Sequence, residues 1–342
     1  MGIYIMSGGL LTTVQDLGRY SYQQQGISPS GAMDSRSFRL ANYLVGNQEN
    51  EAGLEVTLLG PRIQFTNGTV FAVTGADMTP CLNDQPVEMY RAIQVTAGDI
   101  LSFRELKSGC RSYIAFAGGL DIPLVMGSRS TLLRGAIGGY EGRKLKTGDN
   151  IGLRYPVSQL PDLESRVIPA EDFTGEKVTL RVLLGPQEER FTSEGIATLL
   201  REAYVVTPQS DRMGYRLEGP TIQHKTDANI ITDGIALGSI QVPGNGKPII
   251  MMADRQSTGG YTKIANVISV DIPRLAQCKP GTQIYFQQVT LEEAHCLYRQ
   301  QHEQLQGWKK RFGRGKYLEV WKVTEEDEFT IKLESVDLDE ED

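Results

Sequence analysis

Residues 60–64 read GPRIQ, and residues 219–223 read GPTIQ. Gly75 and Gly234 are separated by the same number of residues as these two segments, so the similarity is not confined to one short stretch. Repeated segments in the same order indicate an internal duplication. A chain of 342 residues has room for two domains at roughly 100–200 residues each. We therefore predict two related halves, with the functional site in the cleft between them.

The predicted halves cover residues 1–170 and 171–306, and a charged extension covers residues 307–342. The sequence contains 37 Gly and 15 Pro residues, spread along the chain in a pattern typical of short strands joined by turns. Segments such as 178–184 and 283–289 are rich in β-branched and aromatic residues, which favour strands. The predicted fold class is therefore all-β with a few helices.

Three segments have the periodicity of amphipathic helices, namely 35–45, 194–204 and 291–306. Asp34 is the expected N-cap of the first helix, because its side chain can accept a backbone N–H of the first turn. Thr290 and Glu293 have the spacing of a capping box at the start of the last helix.

The charge distribution argues against a nucleic-acid partner. The net charge is −7. Residues 325–342 hold ten acidic residues and one basic residue, so this segment carries the excess of negative charge and the rest of the chain is nearly neutral. The first residues, MGIYIMSGGLLTTVQD, have no basic region, and no stretch approaches ~18 consecutive apolar residues. The four cysteines have neither metal-ligand nor redox spacing. We expect a cytoplasmic protein that binds neither nucleic acid nor membrane.

The sequence lacks the motifs that would mark a self-sufficient catalyst. It has no G-x-S-x-G elbow, no G-x-x-x-x-G-K-[ST] phosphate loop and no Met-Lys-Met biotin-attachment sequence. His295 and His302 lie seven residues apart on the predicted last helix, roughly 10 Å, which is too far for one metal ion. We predict no metal or biotin site here, and a nucleotide site, if any, on another chain.

Several segments place polar side chains among glycines: TTVQDLGR (12–19), GAMD (31–34), AGLEVT (52–57), SDRMGYRL (210–217), GSIQVP (238–243) and TGGY (258–261). Glycine lets the backbone approach a ligand closely. Arginine offers a planar fork to a carboxylate, and Asp or Glu can act as a base or hold an amide N–H. This inventory suits a small, polar, amide-like substrate. The alternative is that these segments are turns held by local ion pairs.

The same segments resemble the family that includes the C-type subunit of 5-oxoprolinase, also called the KipI antagonist KipA, and the carboxyltransferase part of urea carboxylase, long labelled allophanate hydrolase subunit 2. The resemblance runs from about Ile3 to the helix ending near Gln306. It implies two tandem cyclophilin-like β-barrel domains with a pocket between them. The family usually ends soon after the last helix, so the extension at 307–342 is a departure from it.

The resemblance also implies a heteromeric complex. Its partners would be the B-type subunit of 5-oxoprolinase, which is KipI-like, and the A-type subunit. The complex would cleave 5-oxoproline to L-glutamate with ATP as co-substrate, the activity of an amide hydrolase classified as EC 3.5.2.9. On this interpretation the chain is inactive alone and ATP binds to a partner chain.

A substrate such as 5-oxoproline carries a carboxylate and a lactam, which suggests roles for particular side chains. The candidate catalytic residues are Asp16 and Asp254. The candidate substrate-binding residues are Arg19, Arg212, Arg216, Ser239, Gln241 and Tyr261. On this interpretation, replacing Arg212 should lower turnover while changing stability little.

Two other functions share these motifs. One is a biotin-dependent carboxyltransferase component acting on urea or a similar amide, with carboxybiotin supplied by another chain. The other is a regulatory protein that sequesters a KipI-like kinase inhibitor. The sequence does not identify the catalytic base, the stoichiometry of the complex or the role of the extension.

Overall fold

The computed structural model describes residues 2–312 and the backbone of residues 317–321 and 331–335. Most of the predicted charged extension, 307–342, therefore lies outside the described residues, as does most of its acidic run.

The first half, residues 2–170, is built from two antiparallel sheets around one core. Its elements are β1 (Gly2–Ser7), β2 (Leu11–Gln15), α1 (Ser35–Leu44), β3 (Gly53–Thr57), β4 (Arg62–Phe65), β5 (Thr69–Asp77), β6 (Pro80–Leu82), β7 (Gln85–Pro86), β8 (Ala92–Val95), β9 (Ile100–Phe103), β10 (Ser108–Phe116) and β11 (Asn150–Gly152). The sheets have the strand orders β11-β1-β4-β9-β6-β7 and β2-β3-β10-β5-β8. Phe65 and Phe71 pack between them with ring centroids 5.3 Å apart.

The second half, residues 171–312, contains a closed barrel. Its elements are β12 (Lys177–Leu184), α2 (Ser193–Arg201), β13 (Tyr204–Val206), β14 (Gly214–Glu218), β15 (Asn229–Gly234), β16 (Ser239–Gln241), β17 (Ile249–Met251), β18 (Thr258–Tyr261), β19 (Lys263–Val267), α3 (Ile272–Ala276), β20 (Gln283–Gln288) and α4 (Leu291–Phe312). The barrel order is β12-β19-β16-β17-β14-β13-β20, and β15 pairs with β18 as a separate ribbon. Beyond it, β21 (Tyr317–Trp321) pairs with β22 (Ile331–Ser335).

The predicted fold class, mostly β with a few helices, is confirmed. The first half differs from a closed barrel because its strands form two sheets that share a core. The repeated segment at 219–223 does not form a strand, although its counterpart at 60–64 contains the start of β4. Instead this segment turns, with Ile222 buried and its N–H donated to the carbonyl of Gly246 at 3.0 Å. The boundaries at residues 170 and 306 stay predictions.

Helix α1 starts at the predicted N-cap. An Asp34 carboxylate oxygen accepts the backbone N–H of Ser37 at 2.9 Å, which satisfies a first-turn donor. Helix α2 ends at Arg201, earlier than predicted, because the chain enters strand β13 at Tyr204, whose ring is buried in the barrel core.

Helix α4 begins with the predicted capping box but continues beyond Gln306. The backbone N–H of Thr290 donates to Glu293 at 2.7 Å, and that of Glu293 donates to the Thr290 hydroxyl at 3.2 Å. The helix runs on to Phe312, which is buried in the cluster that also contains the apolar face of α1. The helix therefore leaves the second half and ends against the first.

We expect a chain ending at Gln306 to be less stable than a chain ending at Phe312, because it lacks the buried Phe312 ring and the Trp308 ring stacked on it. Removing one large buried aromatic side chain typically costs about 3–5 kcal/mol. Urea unfolding of the two chains measures the difference. Lys310→Ala, an exposed position in the same turn, is the matched control. Equal stability of the two chains would show that the end of α4 contributes nothing.

Candidate functional site

The two halves meet at a buried ion-pair cluster centred on Arg212, in the loop before β14. Its Nε and Nη2 donate to the two carboxylate oxygens of Asp254, each at 3.0 Å. Its Nη1 donates to Glu55 of strand β3, in the first half. Nη2 also donates to the carbonyl of Gly31 at 2.7 Å. The Arg212 side chain is 5% exposed, so one buried guanidinium links both halves.

Both carboxylates of this cluster have further hydrogen bonds. Glu55 accepts the backbone N–H of Met33 at 2.8 Å and the Tyr113 hydroxyl at 2.9 Å. Asp254 accepts the Ser30 hydroxyl at 2.7 Å. Burial acts to lower the pKa of Arg212, but the Asp254 and Glu55 carboxylates outweigh it and raise that pKa above its usual value. The Arg212 guanidinium is thus fully ionised and held on several sides by the protein.

A second buried link runs from α1 to the segment after α3. The side-chain oxygen of Gln277 accepts the backbone N–H groups of Cys110 and Arg111, each at 3.0 Å. Its amide nitrogen donates to Asp34 at 2.7 Å. Burial raises the pKa of Asp34 to about 6, although the hydrogen bonds from Ser37 and Gln277 favour the ionised form.

Asp16, a predicted catalytic residue, organises a loop of the first half. One carboxylate oxygen accepts the backbone N–H of Gly18 at 2.8 Å and the hydroxyls of Ser128 and Ser130. The other accepts the backbone N–H of Arg129 at 2.6 Å. Four donors therefore occupy this carboxylate, and a role for it as a base stays a prediction.

Arg19 lies three residues further on and is fully buried. Its Nε donates to the carbonyl of Val125 at 3.0 Å, and its Nη2 to the carbonyl of Ser130 at 2.9 Å. Its Nη1 has no hydrogen-bond partner in the part of the chain that the structure describes. Burial lowers the pKa of Arg19, against the opposing fields of Asp16 and Asp254. Carbonyl groups hold this guanidinium, but no described carboxylate pairs with it.

A cavity of about 550 Å³ lies next to Arg19. One wall consists of residues 121–123, 125 and 126, and the other wall consists of residues 136–142. Val125 of the first wall accepts the hydrogen bond from Arg19. A Cβ atom on Gly138 of the second wall would lie 2.5 Å from the Arg19 Nη2 atom. The guanidinium therefore touches both walls.

Three other predicted residues lie where the β15–β18 ribbon meets the barrel. The Ser239 hydroxyl donates to Asn266 at 3.0 Å, and the Gln241 side-chain nitrogen is buried without a partner among the described residues. Tyr261 is 41% exposed on the ribbon. Lys263, which the sequence analysis missed, is buried here and pairs with Asp233 of the ribbon at 2.7 Å.

The structure thus brings Arg212 and Asp254 together, whereas Arg216 lies apart and donates to the carbonyl of Gln209 in its own half. Arg212 pairs with Glu55 and Asp254 and makes no ion pair with its neighbour Asp211. Glu55 lies in the AGLEVT segment (52–57), and that segment was the signal in the sequence for its role.

Within residues 2–312, no group of three or more His, Cys, Asp and Glu side chains is arranged to hold a metal ion. No described helix is long and apolar enough to cross a membrane.

The structure is that of a two-part β protein, with a half of two sheets, a barrel half and a buried charged seam between them. Residues 25–288 match the family described as carboxyltransferase domain, subdomain A and B, and the chain belongs to this family. The chain is 41% identical over 292 residues to the 5-oxoprolinase C-type subunit of Escherichia coli (strain K12), covering 85% of this chain and 92% of that protein. The corresponding 5-oxoprolinase protein of Haemophilus influenzae is 40% identical over 287 residues, covering 84% of this chain and 91% of that protein.

Solved structures show the same fold within larger proteins. The K. lactis urea amidolyase superposes with a TM-score of 0.83 at 33% identity over 90% of this chain. This chain spans only 20% of the amidolyase chain. The resemblance to the 5-oxoprolinase and urea carboxylase family predicted from the motifs is confirmed.

We expect Arg212→Ala to lower the free energy of unfolding by about 3–5 kcal/mol, because it leaves Glu55 and Asp254 buried without their counter-charge. This reverses the expectation from the sequence that the stability change would be small. Urea unfolding measures it. Arg216→Ala is the matched control, because this arginine has no carboxylate partner among the described residues, and it should change stability by about 0.5 kcal/mol or less. Similar losses of stability in the two variants would show that the Arg212 cluster does not stabilise the fold.

Asp34 gives a pH-dependent prediction. In the unfolded chain its pKa is about 4, but in the folded chain it is about 6. Between these values the folded state keeps a proton that the unfolded state has lost, so folding weakens as the pH rises. The free energy of unfolding of the wild type minus that of Asp34→Asn should therefore fall by up to about 3 kcal/mol between these pH values. Urea unfolding at several pH values tests this. A difference that is constant with pH would refute it.

Proposed function

We propose that this chain is the C-type subunit of a 5-oxoprolinase complex that cleaves 5-oxoproline to L-glutamate with ATP as co-substrate. The observation that carries the proposal is the 41% identity to a 5-oxoprolinase protein of the same type that extends over 92% of that relative's length. A match over nearly the whole relative supports an equivalent role better than a match to one segment of a larger protein.

The urea-directed alternative has narrower support. The urea amidolyase of Saccharomyces cerevisiae is 36% identical, but this chain matches only 17% of its length. A carboxyltransferase role would need the remaining functions from other chains. The regulatory alternative, in which the chain sequesters a KipI-like inhibitor, relies on the same pairing with a B-type homologue and does not exclude the enzymatic role.

The proposed division of labour assigns ATP and part of the chemistry to the A-type and B-type partners, in the cytoplasm. In this chain, the Arg212 cluster holds the two halves in a fixed relation, as does the Asp34–Gln277 link. The assignments of Asp16 and Asp254 as catalytic residues remain predictions. Asp16 accepts four hydrogen bonds from the protein and Asp254 accepts three.

The test is reconstitution from purified proteins. We expect the isolated chain to form no glutamate from 5-oxoproline and ATP, and the A-type and B-type partners to form glutamate rapidly only when this chain is added. Coupled assays for glutamate and ADP measure both products. Heat-denatured chain is the control for carry-over of activity. Full turnover by the two partners without this chain, or robust turnover by this chain alone, would overturn the proposal.

A further inference from the structure

Arg255 lies where the two halves meet, and backbone carbonyls hold its guanidinium in place. The Ser28 hydroxyl of the first half donates to the carbonyls of Asp254 and Arg255, at 3.2 and 2.7 Å. The Nε atom of Arg255 donates to the carbonyl of Ile235 at 3.0 Å, and its Nη1 atom donates to that of Met252 at 3.3 Å. The side chain therefore has a defined position at the contact between the halves.

The Nη2 atom of this guanidinium remains free. It makes no hydrogen bond in the part of the chain that the structure describes. Solvent reaches it, because the half-buried Arg255 side chain has no enclosed nitrogen without a partner, whereas the unpartnered Nη1 atom of Arg19 is buried. A ligand can therefore contact the Nη2 atom of Arg255 without any movement of the protein.

No carboxylate of residues 2–312 balances the charge of Arg255, whereas Arg212 pairs with two carboxylates. Burial lowers the pKa of Arg255, and among the described ionisable groups the Tyr20 hydroxyl alone opposes this effect. The pKa of Arg19 is also lowered, but the fields of two carboxylates oppose that change. A partly desolvated cation without a counter-charge is stabilised by an anion that binds to its open side.

We propose that Arg255 and Tyr20 form a binding site for a small monocarboxylate at the contact between the two halves. A charge-assisted hydrogen bond from the Nη2 atom of Arg255 to the carboxylate would supply the missing counter-charge. No second basic side chain among the described residues acts on Arg255, so the site offers a single positive charge. A monocarboxylate matches that charge, whereas a phosphate dianion does not.

Tyr20 supplies the rest of the site. Its side chain is 62% exposed, so it presents aromatic surface to solvent near the guanidinium. An aromatic ring packs against the small ring of a ligand, and its hydroxyl can donate a hydrogen bond. The choice of 5-oxoproline among small monocarboxylates rests on the proposed function, whereas the negative charge of the ligand follows from Arg255. Arg255 is thus a substrate-binding residue of this chain.

The experiment measures ligand binding by the isolated, full-length chain, using isothermal titration calorimetry and ligand-observed NMR. We expect saturable binding of 5-oxoproline and more than tenfold weaker binding of the neutral lactam 2-pyrrolidinone, which lacks the carboxylate. Arg255→Gln should weaken 5-oxoproline binding more than tenfold and remove the preference over 2-pyrrolidinone.

Arg190→Gln is the matched control. Arg190 is also half-buried and has no carboxylate partner among the described residues, and its Nη2 atom lies 3.5 Å from the carbonyl oxygen of Asn229. Because this substitution removes the same charge outside the site, it should leave the binding of both ligands within about twofold. A loss as large as that in Arg255→Gln would overturn the proposal, because the net charge of the chain would then explain the binding.

A second pair of variants covers the case in which Arg255→Gln does not fold. Tyr20 is exposed, so its substitution leaves the core intact. Tyr20→Glu places a carboxylate near Arg255 that competes with the ligand. It should weaken 5-oxoproline binding more than about fivefold relative to Tyr20→Gln, without the same effect on 2-pyrrolidinone.

Three results would each overturn the proposal. They are equal binding of 5-oxoproline and 2-pyrrolidinone, equal binding of 5-oxoproline by the two Tyr20 variants, and no saturable binding of 5-oxoproline up to about 10 mM. If the reconstituted complex still forms glutamate in any of these cases, the proposed function stands and only this site is removed.

Discussion

Arg212 carries a positive charge into the contact between the two halves, where it pairs with Glu55 of the first half and with Asp254 of the second. A buried charge tolerates little misplacement, because each lost hydrogen bond leaves a polar group without water or a protein partner. The cluster therefore restricts the two halves to one relative position. Apolar packing alone, which is largely non-directional, would allow them to slide against each other.

The segment that enters helix α1 is fixed by the same contact. The backbone N–H of Ser30 donates to the carbonyl of Ala253 at 3.1 Å, and the Met33 side chain belongs to the core of the barrel half. One residue later, Asp34 caps α1 and accepts a hydrogen bond from Gln277. The helix start, the barrel core and the charged cluster are thus parts of one structural unit, so a change at the seam will be felt in α1.

Local signals in the sequence predicted the fold class and the starts of α1 and α4, because a cap or a capping box needs only neighbouring residues. They failed for the end of α4, since Phe312 becomes buried only through its packing on α1. They also failed for the partners of Arg212. Asp211 is adjacent in sequence, but the contact is with Glu55, 157 residues away. Burial and long-range pairing depend on the tertiary fold, so the arginines were found as candidates while their environments were not.

Arg19 and Arg212 stand in similar polar segments, but their surroundings differ. The protein supplies every partner of the Arg212 guanidinium, so this residue has no capacity left for a ligand. Arg19 keeps one nitrogen without a partner among the described residues, and two backbone carbonyls hold the rest of its guanidinium. Similar polar segments therefore lead to different environments, because the tertiary contacts decide whether a carboxylate reaches the guanidinium.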